Sequence, residues 1–374
     1  MKEGLEMQRL THTDCIHFNG YKPCRSHKLK GSICEDCDDF TPVDLRVLIL
    51  KVGAAGEVIR NTPLLRKIKS LYAGKSVEIA WITDFPDFVP RSLVKRVLKY
   101  DWKNVHMVLE EEFDLLLSLD KEHNVCALAN KINARVKKGF LLNKRGRIVP
   151  ADHDAERKWL TGVFDDMMKS NTKHYVEELF EICGWEWSGE KYILEGYLVP
   201  PVARLARGGA PVIGLNTGAG SVWPTRIWPE QSWAELISRL QKNGPRVLLL
   251  GGPEEHDKNM RLAKETGAYY EGLKPYKEFV GLMSYCDVVV TAVTMALHIA
   301  IGLEKRIVLL NNIFNKPEFF LYGLGSIVEP DVLCKACYKQ AYDSGCPVPN
   351  CMELISVDMV YDKVMQEARF TPRL

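Results

Sequence analysis

The chain is short of long apolar runs. The one stretch that invites a membrane reading, Val288 to Leu303, has sixteen residues between Asp287 and Glu304 and contains His298, Thr291 and Thr294. A helix crossing a bilayer needs about 20 apolar residues, so a buried strand, turn and helix is the expectation here. The opening residues Met1 to Asp14 are polar and lack the apolar centre of a secretion signal. An excess of one charge is also missing: 50 basic against 48 acidic residues leaves +2. Nothing in that balance announces a nucleic-acid partner. No internal repeat stands out, and no G-x-G-x-x-G is present, which weakens any dinucleotide reading. What remains is an ordinary globular mixture, 46% apolar and 26% charged over 374 residues. That length suits two domains, and a cytoplasmic location is expected.

Cysteine, by contrast, is plentiful and unevenly placed. Four of the eleven fall near the start (Cys15, Cys24, Cys34, Cys37) and four near the end (Cys334, Cys337, Cys346, Cys351). Each set contains one C-x-x-C pair, a spacing that lets one turn offer two thiolates to a metal. A chain without a secretion signal keeps its thiols reduced, which favours a structural zinc or iron over disulfides. His12, His17 and His27 are alternative ligands in the first set. Neither set has the doubled C-x-x-C of a zinc ribbon. Cys126, Cys183 and Cys286 stand alone and read as core.

The pattern between the two sets is strand–helix alternation. Arg46–Lys51, Val77–Thr83 and Phe113–Leu119 read as buried strands. Helices are expected over about Glu57–Tyr72 and Lys121–Lys138. A more helical, polar interval from Ile148 to Leu198 leads to Pro200-Pro201 and Gly208-Gly209, a linker signal. Alternation resumes with a strand at Val212, a helix over about Gln231–Gln241, and strands at Arg246–Leu250, Asp287–Thr291 and Arg306–Leu310. This predicts an α/β protein with a Cys-rich extension (1–45) and two Rossmann-like domains (46–205 and 206–374) facing a cleft. The second domain includes the Cys-rich segment 334–351.

Candidate chemistry gathers at the turns after strands. Gly53 and Gly56 bracket a turn that opens a helix, where glycine permits positive φ and close approach of backbone N–H groups to an anion. Glu57 follows at once, placed to face a cleft and act as a base; an acid favoured by the helix dipole alone is the competing account. Thr217 and Gly218 follow the first strand of the second half and supply a hydroxyl and a small residue near the expected cleft, as candidates for binding a nucleotide sugar. Arg226, just before Trp228-Pro229, has the fork geometry that holds a phosphate. Glu255 follows a second glycine turn, and His298 sits on an apolar helix.

Taken together, VLILKVGAAGEVIRNTPLLRKIK (47–69), NTGAG with RIWPEQSWAEL (216–236), LLLGGPEEH (248–256), TMALHIAIGL (294–303) and the terminal C-x-x-C with CMELI (351–355) resemble glycosyltransferase family 9. These are the ADP-heptose:lipopolysaccharide heptosyltransferases. The resemblance covers about Arg46 to Lys363 and implies the GT-B architecture, with acceptor in the first domain and nucleotide sugar in the second. It implies inverting transfer without a catalytic metal, with Glu57 as base where the family usually has Asp. Arg226 would face the diphosphate, Glu255 the nucleoside sugar, and Thr294 with His298 the donor-side segment. The partners implied are a nucleotide sugar such as ADP-heptose and a lipopolysaccharide or related glycan. Val293 stands where the family usually has Asp. That departure motivates a second reading, a sugar-nucleotide-binding scaffold that has lost catalysis. A redox protein built on the cysteines is a third class, which iron–sulfur absorbance would mark. Seven basic residues (Lys131, Arg135, Lys137, Lys138, Lys144, Arg145, Arg147) without an acidic one suggest either a solvated helix face or a contact with acceptor phosphates or the inner membrane surface.

Overall fold

The computed structural model describes residues 11–202, 205, 209–220, 224–334, 336–338, 346, 348 and 350–369. Gly208, half of the expected linker glycine pair, lies outside them.

Two six-stranded sheets form the frame. The first contains β1 (Leu45–Leu50), β2 (Val77–Thr83), β3 (Arg96–Lys99), β4 (Glu112–Ser118), β5 (Asn133–Leu142) and β6 (Ile148–Pro150) in the order β3-β2-β1-β4-β5-β6. The second contains β7 (Val212–Asn216), β8 (Arg246–Leu250), β9 (Tyr269–Tyr270), β10 (Val288–Ala292), β11 (Arg306–Leu310) and β12 (Gly325–Val328) in the order β12-β11-β10-β7-β8-β9. All pairings are parallel except β5 with β6. In each sheet the strand order reverses beside the first strand, between β1 and β4 and again between β7 and β10. Loops at the carboxyl ends of such a pair diverge and leave a crevice for ligands. The short β3 was not foreseen, and the expected strand at 287–291 begins one residue later.

Two expected helices come out differently. The one over 57–72 is broken into Ala55–Asn61 and Pro63–Leu71. Pro63 has no N–H to give the first segment and begins the second, where a missing donor costs nothing. The expected helix over 121–138 ends at Lys131, and the chain enters β5 at Asn133. Phe113 to Ser118 take residues 134–139 into a parallel ladder, which overrides the helical spacing of the apolar side chains. The basic segment is therefore a strand and hairpin, not a helix face. Lys138 pairs with Asp152 at 2.6 Å and also with Asp154. Lys137 donates to the Ala129 and Asn130 carbonyls. Arg135, Lys144, Arg145 and Arg147 stay exposed.

Val288–Leu303 is a buried strand and helix as expected. Helix Met295–Gly302 is apolar on every side, with Ala296 through Ile301 all buried, the mark of a helix enclosed by protein. One apolar cluster joins Val47 and Ile49 of β1, Val58 and Ile59 of helix Ala55–Asn61, Leu297 and Ile299 of helix Met295–Gly302, and Val289 of β10. The two sheets thus share a core across the cleft. Among the described residues, no helix is long and apolar enough to cross a membrane.

The far side of the second sheet is closed by helix Val357–Ala368. Trp228 fixes the chain there: its indole N–H donates to the Ile355 carbonyl at 2.8 Å, and its ring meets Trp233 edge-on at 4.8 Å. Trp228→Ala should remove about 3–5 kcal/mol from the second domain. Urea unfolding followed by tryptophan fluorescence measures the loss.

Candidate active site

At the carboxyl edge of the first sheet, β1 delivers Lys51 and its neighbour β4 delivers Asp120. Both are buried. Lys51 Nζ donates to Asp120 Oδ1 at 2.5 Å, and Asp120 Oδ2 accepts from the Val52 N–H at 2.5 Å. Lys51 also stands 3.6 Å from the Glu57 carboxylate. Glu57 lies in the first turn of helix Ala55–Asn61, and one turn further Arg60 reaches it at 2.7 Å. Arg60 stacks on the Tyr175 ring, 3.2 Å from its centroid, and extends to Glu318 at 3.3 Å. Burial pushes the Glu57 carboxyl up, but Arg60 and Lys51 outweigh it and hold the group at about 2. Glu57 is a carboxylate at any physiological pH.

Neither Gly53 nor Gly56 takes a positive φ, contrary to the expectation for this turn. Gly56 is needed for room instead. A Cβ there would stand 2.6 Å from His298 Cδ2 and 3.3 Å from Met295 Cα. The first turn carrying Glu57 therefore abuts the start of helix Met295–Gly302 from the opposite domain. His298 is buried at this junction, with Tyr192 stacked on its ring at 6.0 Å. Burial, then Arg60, pull His298 down to about 3, so it is neutral and presents no charge to a ligand.

The second sheet brings its own groups to the same place. Asn216, at the end of β7, donates to Thr291 Oγ1 at 3.1 Å and to Thr294 Oγ1 at 3.3 Å. Thr294 caps helix Met295–Gly302 by accepting from the Ala296 N–H at 3.2 Å. Arg226 is buried beside it and donates to the Ala219 carbonyl at 2.6 Å and to the Val293 carbonyl. Burial pulls Arg226 down to about 10, which still leaves it cationic. Val293 contributes its carbonyl to this contact while its side chain packs against the shared core. Thr217 turns inward, its hydroxyl donating to Asn259 Oδ1 at 2.6 Å. Gly218 faces Glu255 so closely that a Cβ would lie 2.0 Å from Oε1. Glu255 in turn accepts from the Gly252 N–H at 2.9 Å.

Beside Arg60 opens a cavity of about 170 Å³ lined by Lys121, Lys158, Asn171, Glu178, Asn315 and Glu318, among others. Lys158 is paired with Glu178 at 2.5 Å. Desolvation and then the neighbouring Lys158 pull the Lys121 ammonium down to about 8. None of Lys51, Arg60, Asp120, Lys121 or Glu318 was singled out from sequence. For Arg60 the i,i+3 spacing from Glu57 was a usable sign; Asp120 and Glu318 become neighbours only through the fold.

Among the described residues, no group of three or more His, Cys, Asp or Glu side chains is gathered so as to hold a metal ion, which the cysteine spacing had suggested. All eleven cysteines are free thiols. Cys351 is buried and accepts from Asn312 Nδ2 at 3.3 Å. Burial raises its thiol, and nearby Cys337, Cys346 and Cys334 add to that.

Two Rossmann-type sheets with their carboxyl edges turned to one crevice, an ionised acid on one side and a capped helix start on the other, define a GT-B glycosyltransferase fold. The family model for glycosyltransferase family 9 (heptosyltransferase) matches residues 102–312, more than half of the chain. The chain belongs to that family and is a heptosyltransferase-like glycosyltransferase. Among curated proteins, none matches it by sequence. Similar solved structures include a family 9 glycosyl transferase from Veillonella parvula (TM-score 0.63, 14% identity, 87% of this chain and 98% of that one). E. coli ADP-heptose lps heptosyltransferase II is similar at TM-score 0.60 and 16% identity, over 87% and 99%. E. coli heptosyltransferase WaaC with ADP gives TM-score 0.60 and 15% identity, over 86% and 100%. At such identities the likeness speaks for the fold.

The depressed Glu57 fixes the sign of one pH effect. Its unfolded carboxyl titrates near 4.3 against about 2 in the fold, so its stabilising contribution is complete above that unfolded value and is lost as pH falls toward 2. Wild type should exceed Glu57→Gln in stability at pH 7, and the gap should close between about pH 5 and pH 2. Paired urea titrations across that range measure it.

Proposed function

We propose that the protein is an inverting glycosyltransferase that moves a sugar, a heptose in the leading reading, from a nucleoside-diphosphate donor to a lipopolysaccharide or related glycan. One observation carries this: the helix start bearing Glu57 touches, through Gly56, the start of helix Met295–Gly302 on the opposite domain. A base and an electropositive helix end are thereby held on two sides of one crevice. The donor diphosphate is assigned to the Thr294 end, between Asn216 and Arg226. The acceptor is assigned to the Lys121-lined cavity, which Arg60 and Glu318 connect to Glu57.

In this reading the Glu57 carboxylate takes the proton of an acceptor hydroxyl as its oxygen attacks the anomeric carbon. The bond to the diphosphate breaks on the opposite face, and the charge that grows on the leaving group meets the helix end and Arg226. A carboxyl held at about 2 is a weak base, so Arg60 has to turn away from Glu57 toward Glu318 before the proton moves. Lys51, fixed by Asp120, keeps the carboxylate in position.

The second reading, a sugar-nucleotide-binding protein without turnover, is favoured by Val293 and by the closure of Arg60 onto Glu57. A calorimetric panel of nucleotide sugars, ADP-heptose included, combined with a transfer assay, separates the two. Expected for the enzyme are donor binding that Arg226→Ala weakens at least tenfold, and transfer that Glu57→Ala lowers by about 10²–10⁴ with donor affinity within a few-fold. Donor binding with no transfer to any glycan acceptor would select the second reading. Full activity in Glu57→Ala would reduce Glu57 to a helix-start acid.

A further inference from the structure

Tyr338 directly follows Cys337 of the terminal C-x-x-C pair. It holds the loop after β11 at three points. Its N–H donates to the Ile313 carbonyl at 3.0 Å, its ring meets Phe314 edge-on at 5.1 Å, and its hydroxyl donates to Glu318 Oε2 at 2.6 Å. Its φ of 50° lies in the left-handed region, as does that of Ala336 at 52°. A residue other than glycine resists that conformation, and it persists only where surrounding contacts hold it. Burial, then Glu318, raises the Tyr338 hydroxyl above its ordinary value. The phenol therefore keeps its proton and donates it to the carboxylate.

The loop held in this way reaches the acid. Glu318 Oε1 accepts from Arg60 at 3.3 Å, and the same guanidinium stands 2.7 Å from Glu57. From the same loop Asn315 donates to the Met168 and Asn171 carbonyls of the first domain, at 3.0 and 2.7 Å. Phe314 lies 5.5 Å from the Arg226 guanidinium. Arg60 thus has two carboxylates within reach, and the more distant one takes its direction from Tyr338.

We propose that Tyr338 is a positioning residue for sugar transfer: it aims Glu318 at Arg60, so that the guanidinium has a partner to move to while Glu57 takes the acceptor proton. This rests on Glu57 as the base. As the proton passes from the acceptor hydroxyl to Glu57, that carboxylate becomes neutral and loses its hold on Arg60. Arg60 keeps its charge and settles on Glu318, which stays ionised, and Tyr338 keeps its proton throughout. A buried guanidinium without a carboxylate partner is costly. A misdirected Glu318 therefore leaves Arg60 on Glu57 and the base weak.

The test measures kcat and KM of transfer for Tyr338→Phe and Glu318→Gln, each alone and combined with Arg60→Ala, with urea midpoints to confirm folding. Expected is a kcat lowered about tenfold by Tyr338→Phe and about 10–100-fold by Glu318→Gln, with KM for the donor and the acceptor within about threefold. Arg60→Ala itself should retain transfer, because the group that restrains Glu57 is gone. In that background Tyr338→Phe should lower kcat by less than about twofold, whereas a residue that merely supports the fold would keep its full effect. Unchanged kcat in Tyr338→Phe, an effect undiminished without Arg60, transfer abolished by Arg60→Ala, or a change confined to acceptor KM would each overturn the proposal alone. Full transfer in Glu57→Ala, or none in wild type, would instead overturn the reading of the base and the proposal with it.

Discussion

The ion cluster of Lys51, Glu57, Arg60 and Asp120 is the constraint on which the site depends. Taking a carboxylate out of water is costly unless opposite charge replaces the lost hydration. Glu57 has that charge on both sides, 2.7 Å from Arg60 and 3.6 Å from Lys51. Lys51 is itself held by Asp120, from the next strand of the sheet. The cluster therefore ties β1, β4 and helix Ala55–Asn61 together and delivers an ionised acid to the edge of the crevice. Arg60 extends the connection to Glu318 in the second domain, so the state of the acid and the approach of the domains are linked.

That approach rests on an absent side chain. Gly56 leaves room for His298 and Met295 to come within reach of the first domain's helix start, and the apolar core continues through the contact. A buried, neutral His298 suits this place, because a charged ring beside Arg60 would push the domains apart. The groups of the second domain follow the same plan in mirror image. Asn216 at the end of β7 gathers Thr291 and Thr294 as Lys51 at the end of β1 gathers Glu57 and Asp120.

Several features were legible along the chain because they depend on neighbours in sequence. The buried strands appear as short apolar runs bounded by turns, and helix Met295–Gly302 as an apolar run too short for a membrane. Glu57, Arg226 and Thr294 were picked out as candidates from motif position. The misread helices show the limit. Spacing of apolar residues over 121–138 suits a helix, yet β4 captures residues 134–139 as a strand, a decision made by a partner at a distance.

The sequence by itself determined the class: two alternating α/β halves, the family resemblance, a helix-start acid after the first glycine turn, and four cysteines crowded into a short leader. Only the tertiary structure decided what those groups meet. It brought Arg60 to Glu318 across 258 positions and Lys51 to Asp120 across 69, and it turned the Thr217 hydroxyl away to Asn259. It also pointed four leader thiols at one cavity. The physical reason is common to all of them. Hydrophobic spacing and turn chemistry act within a few residues of the chain, whereas buried charges and thiols are satisfied by whichever groups the packed sheets carry to within a few ångströms.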